Sequence, residues 1–228
     1  GNDDMKTLAV TGLEKTYGTK TLLAGIDFAI RTGDRIGLIG PNGTGKSSFL
    51  KVLADQTDYD QGTIDKPKDY RIAYLAQNPD LDPNQTILDT VFAGDTPELK
   101  LLHDYEVANL ALLSDPDNGK LQESFQSITE AMNQADAWQI EVKAKTVLSQ
   151  LGLVNLNQRV GDCSGGEQKR IGIAQVLIAE PDLLILDEPT NHLDINSVQW
   201  LEKYLASYKG ALLLVTHDRY FLERTVDR

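Results

Sequence analysis

Short apolar runs recur along the chain and are bounded by Gly, Asp or Pro. Their length and their boundaries are typical of buried strands. The runs are Leu8–Val10, Ile26–Ile30, Ile36–Ile39, Ile72–Leu75, Leu183–Leu186 and Leu212–Val215. The closely spaced early runs favour an antiparallel addition, whereas the later runs alternate with helical patterns. That alternation predicts an α/β fold with a mostly parallel sheet covered by helices.

Two stripes of apolar residues at helical spacing predict helices after the third and fifth of these runs. The first stripe is Phe49, Leu50, Val52 and Leu53, and the second is Val198, Leu201, Leu205 and Tyr208.

The middle of the chain has a different pattern. Between about residues 96 and 151 no run is typical of a strand, and we predict two or three helices with a break near 115–119. We therefore divide the chain into a core of residues 5–77 and 161–228 and an inserted helical subdomain of residues 78–160. An ordinary covering layer of helices is the alternative.

The composition is acidic. The 228-residue chain has 22 Lys and Arg against 34 Asp and Glu, a net charge of −12, which disfavours nonspecific wrapping of nucleic acid. One cysteine, Cys163, excludes an internal disulfide and fits a reducing cytoplasm. No apolar run approaches the ~18 residues of a membrane helix, so we expect a cytoplasmic protein without direct membrane insertion. The acidic residues 1–4 differ from a signal peptide, and we expect them to be leader residues before a native start at Met5.

A glycine-rich segment between a predicted strand and a predicted helix has the spacing of a phosphate-binding loop. Its two outer glycines precede Lys46 and Ser47. Backbone N–H groups of such a loop can reach a triphosphate, Lys46 adds a positive charge, and the Ser47 hydroxyl can reach Mg²⁺. The residues expected to bind ATP here are Gly40, Asn42, Gly43, Thr44, Gly45, Lys46, Ser47 and Ser48. A glycine-rich turn with an exposed lysine is the alternative, but strand, spacing and helix all agree with ATP binding.

Two adjacent acids follow the apolar run Leu183–Leu186. We expect Asp187 to hold Mg²⁺, directly or through its water shell, and Glu188 to polarise the attacking water as a base. Two acids at a strand end could instead be solvated, and that alternative would be preferred without the upstream loop. Phosphoryl transfer needs little covalent chemistry from the protein, so positioning and charge compensation should carry most of the catalysis.

The segment Ser164-Gly165-Gly166-Glu167 has two interpretations. Ser followed three residues later by Glu is a capping box, which can start any helix. Two glycines beside the cap lower helix stability and expose backbone N–H groups, which suits an anion at that terminus. Taken alone, the segment favours the capping interpretation.

These motifs, in their order along the chain, resemble those of the ATP-binding cassette (ABC) superfamily. The order is Tyr17, the phosphate loop, Gln77, Cys163–Gln168, Leu183–Glu188, Asn191–Asp194 and His217. Within it, Ser164–Arg170, Glu188–Asp194 and Thr216–Leu222 are similar to the ABC-F subgroup. Proteins of that subgroup are soluble, normally carry two cassettes in one chain, have no membrane domain and mostly act on the ribosome or its relatives.

The resemblance extends over essentially the whole chain and implies a single ABC ATPase domain at residues 5–228. The implied fold is that of a P-loop NTPase, an ABC-type nucleotide-binding domain. It has a RecA-like, mostly parallel sheet core, an antiparallel β addition and a helical subdomain.

The resemblance also implies roles at the nucleotide. Tyr17 would stack on adenine, Gln77 would contact Mg²⁺ or the water, and His217 would hydrogen-bond the γ-phosphate. As a lone tyrosine, Tyr17 would more often be a packing residue. The expected catalytic residues are thus Glu188, His217 and Gln77, and the expected metal residues are Ser47, Gln77 and Asp187.

A partner cassette is implied as well, either in a longer chain or as a second copy. Asp194 would line the seam with that partner, and Ser164 and Gly166 would clasp the γ-phosphate of the partner's nucleotide. One copy then completes no site, and the isolated cassette could be inactive. Cys163 stands where the family usually has leucine, and since a buried thiol is a small hydrophobe we expect the change to be tolerated.

The chain ends at Arg228, soon after His217, and we expect a fragment or an excised first cassette. The long span from Gln77 to Ser164 matches the arm insertion of ABC-F proteins, which contacts the ribosome in relatives. Residues 97–150 carry nine acids and four lysines, a net charge of 4 − 9 = −5, which makes contact of this arm with a phosphate backbone less secure.

We therefore predict an ATP-hydrolysing ABC-F cassette that uses Mg-ATP-driven cassette dimerisation to act on ribosomes or translation. One alternative is the ATPase subunit of a membrane ABC transporter, which the motifs after Glu188 and His217 do not favour. A nucleotide-binding module without appreciable hydrolysis and a role on branched DNA are the others, and the acidic charge disfavours the last.

Overall fold

The computed structural model describes residues 5–38 and 46–226. Among them are seven strands, β1 (Thr7–Tyr17), β2 (Lys20–Arg31), β3 (Arg35–Leu38), β4 (Gln61–Asp65), β5 (Ile72–Leu75), β6 (Leu183–Asp187) and β7 (Ala211–Val215). The helices are α1 (Lys46–Leu53), α2 (Ile87–Val91), α3 (Pro97–Ser114), α4 (Gly119–Ala135), α5 (Trp138–Gln150), α6 (Gly165–Ile178), α7 (Ile195–Ala206) and α8 (Arg219–Thr225). Backbone packing divides the chain into two compact units. One comprises the residues up to Gln77 together with those from Glu180 onward, and the other is Asn78–Ala179.

The first unit contains an antiparallel sheet in the order β2-β1-β4, which confirms the predicted antiparallel addition. Strand β4 was not predicted because Ile64 is its one apolar residue. Its backbone approaches β1 closely at Gly62, where an added Cβ would lie 2.6 Å from the carbonyl oxygen of Gly12 and φ is +103°. Glycine is therefore the residue that this pairing tolerates.

The second sheet of the same unit is parallel, in the order β3-β7-β6-β5. Every residue of β6 and β7 is buried. Strands buried on both faces have continuous apolar sequences, which is why both were recognisable as runs. The carboxyl ends of the four strands lie at one edge of this sheet, and that edge carries the candidate site.

Helices α1 and α7 follow the predicted stripes with one correction. The predicted residues of α1 are buried, and the ring of Phe49 meets that of Phe28 edge-on at 5.4 Å. Helix α7 ends at Ala206, so the prediction that Tyr208 lies on its stripe was wrong. The helix stops there because Arg35 donates from Nε to the carbonyl of Leu205 at 3.1 Å and from its NH2 group to that of Tyr208 at 3.1 Å.

The second unit contains α2 to α6, and the prediction of helices across its middle is confirmed by α3, α4 and α5. The predicted break separates α3 from α4, which begins after Asn118, whose side chain accepts from the N–H of Lys120 at 3.0 Å. The Tyr105 ring joins the three helices, since it contacts Phe125 at 5.6 Å and Trp138 at 5.2 Å between centroids.

The helical unit ends later than the helical subdomain inferred from the sequence. Helix α6 packs against α2 and α5 and buries most of its residues, so the compact unit extends to Ala179 and not to residue 160. The boundary inferred from the sequence falls before α6 because a motif expected to contact nucleotide begins there. That motif does not indicate which helices α6 packs against. In the part of the chain that the structure describes, no helix is both long enough and apolar enough to cross a bilayer.

Candidate functional site

The pairing of β6 with β7 brings two distant segments together. Asp187 lies opposite Val215 in this parallel ladder, so the residues that follow each strand are neighbours. The N–H of Glu188 extends the contact by donating to the carbonyl of Val215 at 2.7 Å. Glu188 therefore faces Thr216 and His217, although 27 residues lie between Glu188 and Thr216 (216 − 188 − 1 = 27).

The carboxylate of Glu188 accepts from three donors of these neighbours. Oε1 is hydrogen-bonded to Nδ1 of His217. Oε2 accepts from the Thr216 hydroxyl and from the backbone N–H of His217, both at 3.3 Å. The Glu188 side chain is 8% exposed, whereas that of His217 is 63% exposed. The cluster thus holds a buried carboxylate beneath a solvent-facing imidazole.

The donor of this contact follows from the charge of the carboxylate. When Glu188 is ionised, its oxygens only accept hydrogen bonds, and Nδ1 of His217 is then the protonated ring nitrogen. A neutral His217 then has an acceptor at Nε2, and only the imidazolium offers a second N–H there.

Glu188 also has an unusual backbone conformation. Its φ is +51°, in the left-handed region that non-glycine residues rarely occupy. The bond from its N–H to Val215 and the three bonds to its carboxylate hold it there. Residues held in this region by surrounding contacts cluster at functional sites.

Asp187 ends β6 and is 6% exposed. Its charge acts on Tyr74 of the neighbouring strand β5, whose pKa is raised to about 12 by burial and, secondarily, by Asp187. Gln77 follows β5 by two residues and so lies at the same edge of the sheet as Asp187. The structure therefore places these two predicted metal residues at the ends of adjacent strands.

The oxygen donors of the three predicted metal residues fit Mg²⁺. They are a hydroxyl (Ser47), an amide oxygen (Gln77) and a carboxylate (Asp187). Across residues 5–38 and 46–226, no group of three or more His, Cys, Asp or Glu side chains could hold a metal by itself. A site with few protein carboxylates is typical of Mg²⁺ that is shared with substrate phosphates.

The predicted phosphate loop is only partly described. Gly40, Asn42, Gly43, Thr44 and Gly45 lie outside the described residues. Lys46 is the first residue of α1 and is half-buried, Ser47 is exposed and Ser48 is half-buried. Lys46 and Ser47 therefore lie in the first turn of a helix, where the helix dipole favours anions.

Tyr17 ends β1 and its side chain is largely exposed, at 79%. An exposed aromatic face can stack on a base without displacing a packed neighbour. The alternative that this tyrosine is a packing residue is not supported by such exposure.

The capping box predicted at Ser164 is present. The Ser164 hydroxyl accepts from the N–H of Glu167 at 3.1 Å, and the Glu167 carboxylate accepts from the N–H of Ser164 at 3.2 Å. An added Cβ at Gly165 or Gly166 would meet nothing within 4 Å, so packing within the described residues does not require glycine at either position.

Cys163, next to this cap, is buried, and its Sγ lies 3.5 Å from the carbonyl oxygen of Arg159. Burial raises the pKa of this thiol. Both observations agree with the expectation that Cys163 packs as a small hydrophobe.

Two residues have structural roles that the sequence motifs did not indicate. Asp194 caps α7 by accepting from the N–H of Ser197 at 2.7 Å. Asp218 caps α8 by accepting from the N–H of Phe221 at 3.0 Å. Both precede apolar helical stripes, so N-capping preference was the signal that could have found these roles.

Comparison with known proteins decides the family. A model of the family described as ABC transporter matches residues 23–191, well over half of the chain. The chain belongs to the ABC transporter family. This ABC cassette is 46% identical over 224 residues to the uncharacterized ABC transporter ATP-binding protein YfmR of Bacillus subtilis, which covers 98% of the chain and 36% of YfmR. It is 38% identical over 216 residues to the energy-dependent translational throttle protein EttA of Mycobacterium tuberculosis. That alignment covers 94% of the chain and 38% of EttA.

These relatives are ATP-binding proteins of the ABC-F type, which confirms the resemblance found in the sequence. The ABC cassette spans little more than a third of their length. The family model and the name of YfmR agree with the prediction of an ABC-type ATP-binding cassette.

Solved structures confirm the fold class. An ATP-binding subunit of an ABC transporter matches with a TM-score of 0.70 at 22% identity, covering 96% of this cassette and 83% of that chain. A dimeric ATP-binding cassette in a post-hydrolysis state, bound to ADP and Pi, matches with a TM-score of 0.63 at 23% identity, covering 96% and 91%. At these identities the likeness concerns the fold alone.

Proposed function

We propose that this cassette binds Mg-ATP at the carboxyl edge of its parallel sheet and hydrolyses it with Glu188 as the general base. The observation that carries the proposal is the set of bonds between Glu188, Thr216 and His217. A buried carboxylate with fixed orientation is suited to take a proton from a water molecule, since proton transfer requires the base within hydrogen-bond reach.

The described residues include candidate contacts for both the phosphates and the adenine base of ATP. The start of α1, with the charge of Lys46, would bind phosphate oxygens. The exposed ring of Tyr17 would stack on adenine. Ser47, Gln77 and Asp187 would hold Mg²⁺, which when bound neutralises phosphate charge and acts as a Lewis acid.

A neutral His217 has one ring N–H and cannot donate hydrogen bonds to Glu188 and to a phosphate oxygen at the same time. Its Nδ1 proton is used by Glu188, so a bond from Nε2 to the γ-phosphate requires the imidazolium. We infer that the contact between His217 and Glu188 changes when His217 reaches the phosphate. This change would alter the environment of the base in response to the γ-phosphate.

A second cassette would complete the site. The open first turn of α6, at Ser164 and Gly166, leaves room for a nucleotide held by a partner. Asp194 would line the seam in addition to capping α7. Relatives that are nearly three times as long as this cassette provide space for a second one in the same chain.

We further propose a cytoplasmic role in ATP-gated action on ribosomes or translation. The support is the relative EttA, named for an energy-dependent translational throttle, at 38% identity. ATP would shift cassette pairs toward a closed state, and hydrolysis would reopen them.

The test is ATP hydrolysis across a wide range of protein concentration with Glu188→Gln as the blank. We expect specific activity to rise with protein concentration and to fall by about 10²–10⁴-fold in the variant, the usual contribution of a general base. The variant should still bind ATP, and in the presence of ATP it should form a dimer with twice the mass of one cassette. Glu223→Gln, which changes an exposed glutamate of α8, is the matched control and should hydrolyse ATP normally.

A wild-type hydrolysis rate in Glu188→Gln would refute the base role. Copurification of the protein with a membrane partner would favour the transporter-subunit alternative over action on ribosomes.

A further inference from the structure

The Thr216 hydroxyl makes two hydrogen bonds whose directions are fixed. It accepts from the backbone N–H of Asp218 at 3.0 Å and donates to Oε2 of Glu188 at 3.3 Å. A hydroxyl has one proton, and because the N–H of Asp218 can only donate whereas the carboxylate oxygen accepts, that proton is directed at Glu188. We propose that Thr216 is a positioning residue that sets the orientation of the Glu188 carboxylate. This inference rests on the proposed role of Glu188 as the base.

The hydroxyl is anchored to a helix. Asp218, whose N–H it accepts, is the N-cap of α8 and accepts in turn from the N–H of Phe221 at 3.0 Å. The Phe221 side chain is fully buried. A continuous chain of bonds therefore runs from the first turn of a packed helix through Thr216 to Glu188.

The orientation of Glu188 depends on such bonds because its own torsions do not fix it. The last torsion of a glutamate is broad, so a carboxylate turns easily unless its oxygens are held. Thr216 and the backbone N–H of His217 together fill the two acceptor positions of Oε2. Among the described residues, Oε1 has one hydrogen-bond partner, which is Nδ1 of His217. The geometry thus makes Oε1 the oxygen that is left to accept a proton from water.

The test compares two substitutions at Thr216 with one elsewhere. Thr216→Val keeps the shape and removes the hydroxyl, whereas Thr216→Ser keeps the hydroxyl. Thr225→Val is the matched control, because it removes a buried hydroxyl of the same unit that donates to the Phe221 carbonyl at 2.6 Å. We would measure kcat and KM for ATP, with Glu188→Gln as the blank.

We expect Thr216→Val to lower kcat by about 10- to 100-fold with KM within about twofold, since a small misplacement of a reacting group has effects of that size. Thr216→Ser should retain kcat within about threefold, and Thr225→Val should retain kcat although it lowers stability. Crystal structures of the two Thr216 variants provide a readout besides activity. The Glu188 carboxylate should be rotated in Thr216→Val and unmoved in Thr216→Ser.

The outcomes separate this inference from the proposed function. Equal rates for wild type and Glu188→Gln contradict the base role itself. A wild-type rate well above that blank, with Thr216→Val equal to wild type, overturns the inference alone. A rise in KM without a fall in kcat also overturns it, as does an unmoved carboxylate in the Thr216→Val crystal.

Discussion

The buried carboxylate of Glu106 is expected to lower the stability of the helical unit at neutral pH. Glu106 lies on α3 and is 1% exposed. Its Oε2 lies 3.5 Å from Nζ of Lys145 on α5, and its Oε1 has no hydrogen-bond partner among the described residues. Glu141, also on α5, lies 3.8 Å from the same Nζ. Glu106→Gln removes the charge and keeps the shape.

The sign of the pH dependence follows from burial. Burial raises the pKa of Glu106, the charge of Lys145 opposes this, and that of Glu141 adds to it. The folded state therefore holds the proton more tightly than the unfolded chain does. This contribution to stability is complete below the ordinary pKa of 4.5 and is lost as pH rises through the raised pKa.

The magnitude can be worked from the contacts. A buried acceptor without a partner costs about 1–3 kcal/mol. The bond with Lys145, whose side chain is 49% exposed, returns only about 0.2–1 kcal/mol. A glutamine can turn its oxygen toward Lys145 and its NH2 toward Glu141. We expect Glu106→Gln to be about 1–2 kcal/mol more stable than wild type at pH 8, with the difference vanishing near pH 4.5.

Urea unfolding at both pH values measures this difference. The chain has two tryptophans, so a Trp200→Phe background leaves Trp138, which lies in the helical unit beside Tyr105, as the fluorescent reporter. Glu130→Gln on the exposed side of α4 is the matched control and should show no such pH-dependent gain. A Glu106→Gln variant that is less stable than wild type at pH 8, or a difference that does not change with pH, would refute the reasoning.

Two further predictions concern the nucleotide. Lys46→Ala should abolish tight ATP binding in titration calorimetry because it removes the charge at the start of α1, and unchanged affinity would be incompatible with a phosphate loop here. Cys163→Leu should leave nucleotide affinity nearly unchanged, because the buried thiol acts as a hydrophobe, although the larger leucine should lower the free energy of unfolding by about 1–3 kcal/mol. A large loss of affinity in that variant would mean that Cys163 contributes to binding.

The central strands β6 and β7 could be predicted because strands that are buried on both faces have continuous apolar sequences. Strand β4 has one apolar residue and is held by pairing with β1, so its sequence carried no comparable pattern. The end of α7 was missed for a similar reason, since the contacts of Arg35 that terminate it come from a distant strand.

The candidate site was predicted as separate residues and not as an arrangement. Glu188 and His217 were each expected to act on the nucleotide, but their mutual contact depends on the pairing of β6 with β7. Strand order is a long-range property that local sequence patterns do not encode. The role of Thr216 could not be predicted for the same reason, because it depends on the hydrogen bond between its hydroxyl and Glu188.

The order of the strands in the parallel sheet determines when the chain can finish folding. β3 pairs with β7 and β5 pairs with β6, so each early strand waits for a partner synthesised after the whole helical unit. Asn78–Ala179 is contiguous and has been synthesised completely once α6 has emerged, whereas the sheet remains incomplete until Val215 is available. A growing chain therefore contains the whole helical unit while β3 and β5 still lack their partners β7 and β6. Its exposed apolar strand edges make this interval the period of greatest vulnerability to aggregation.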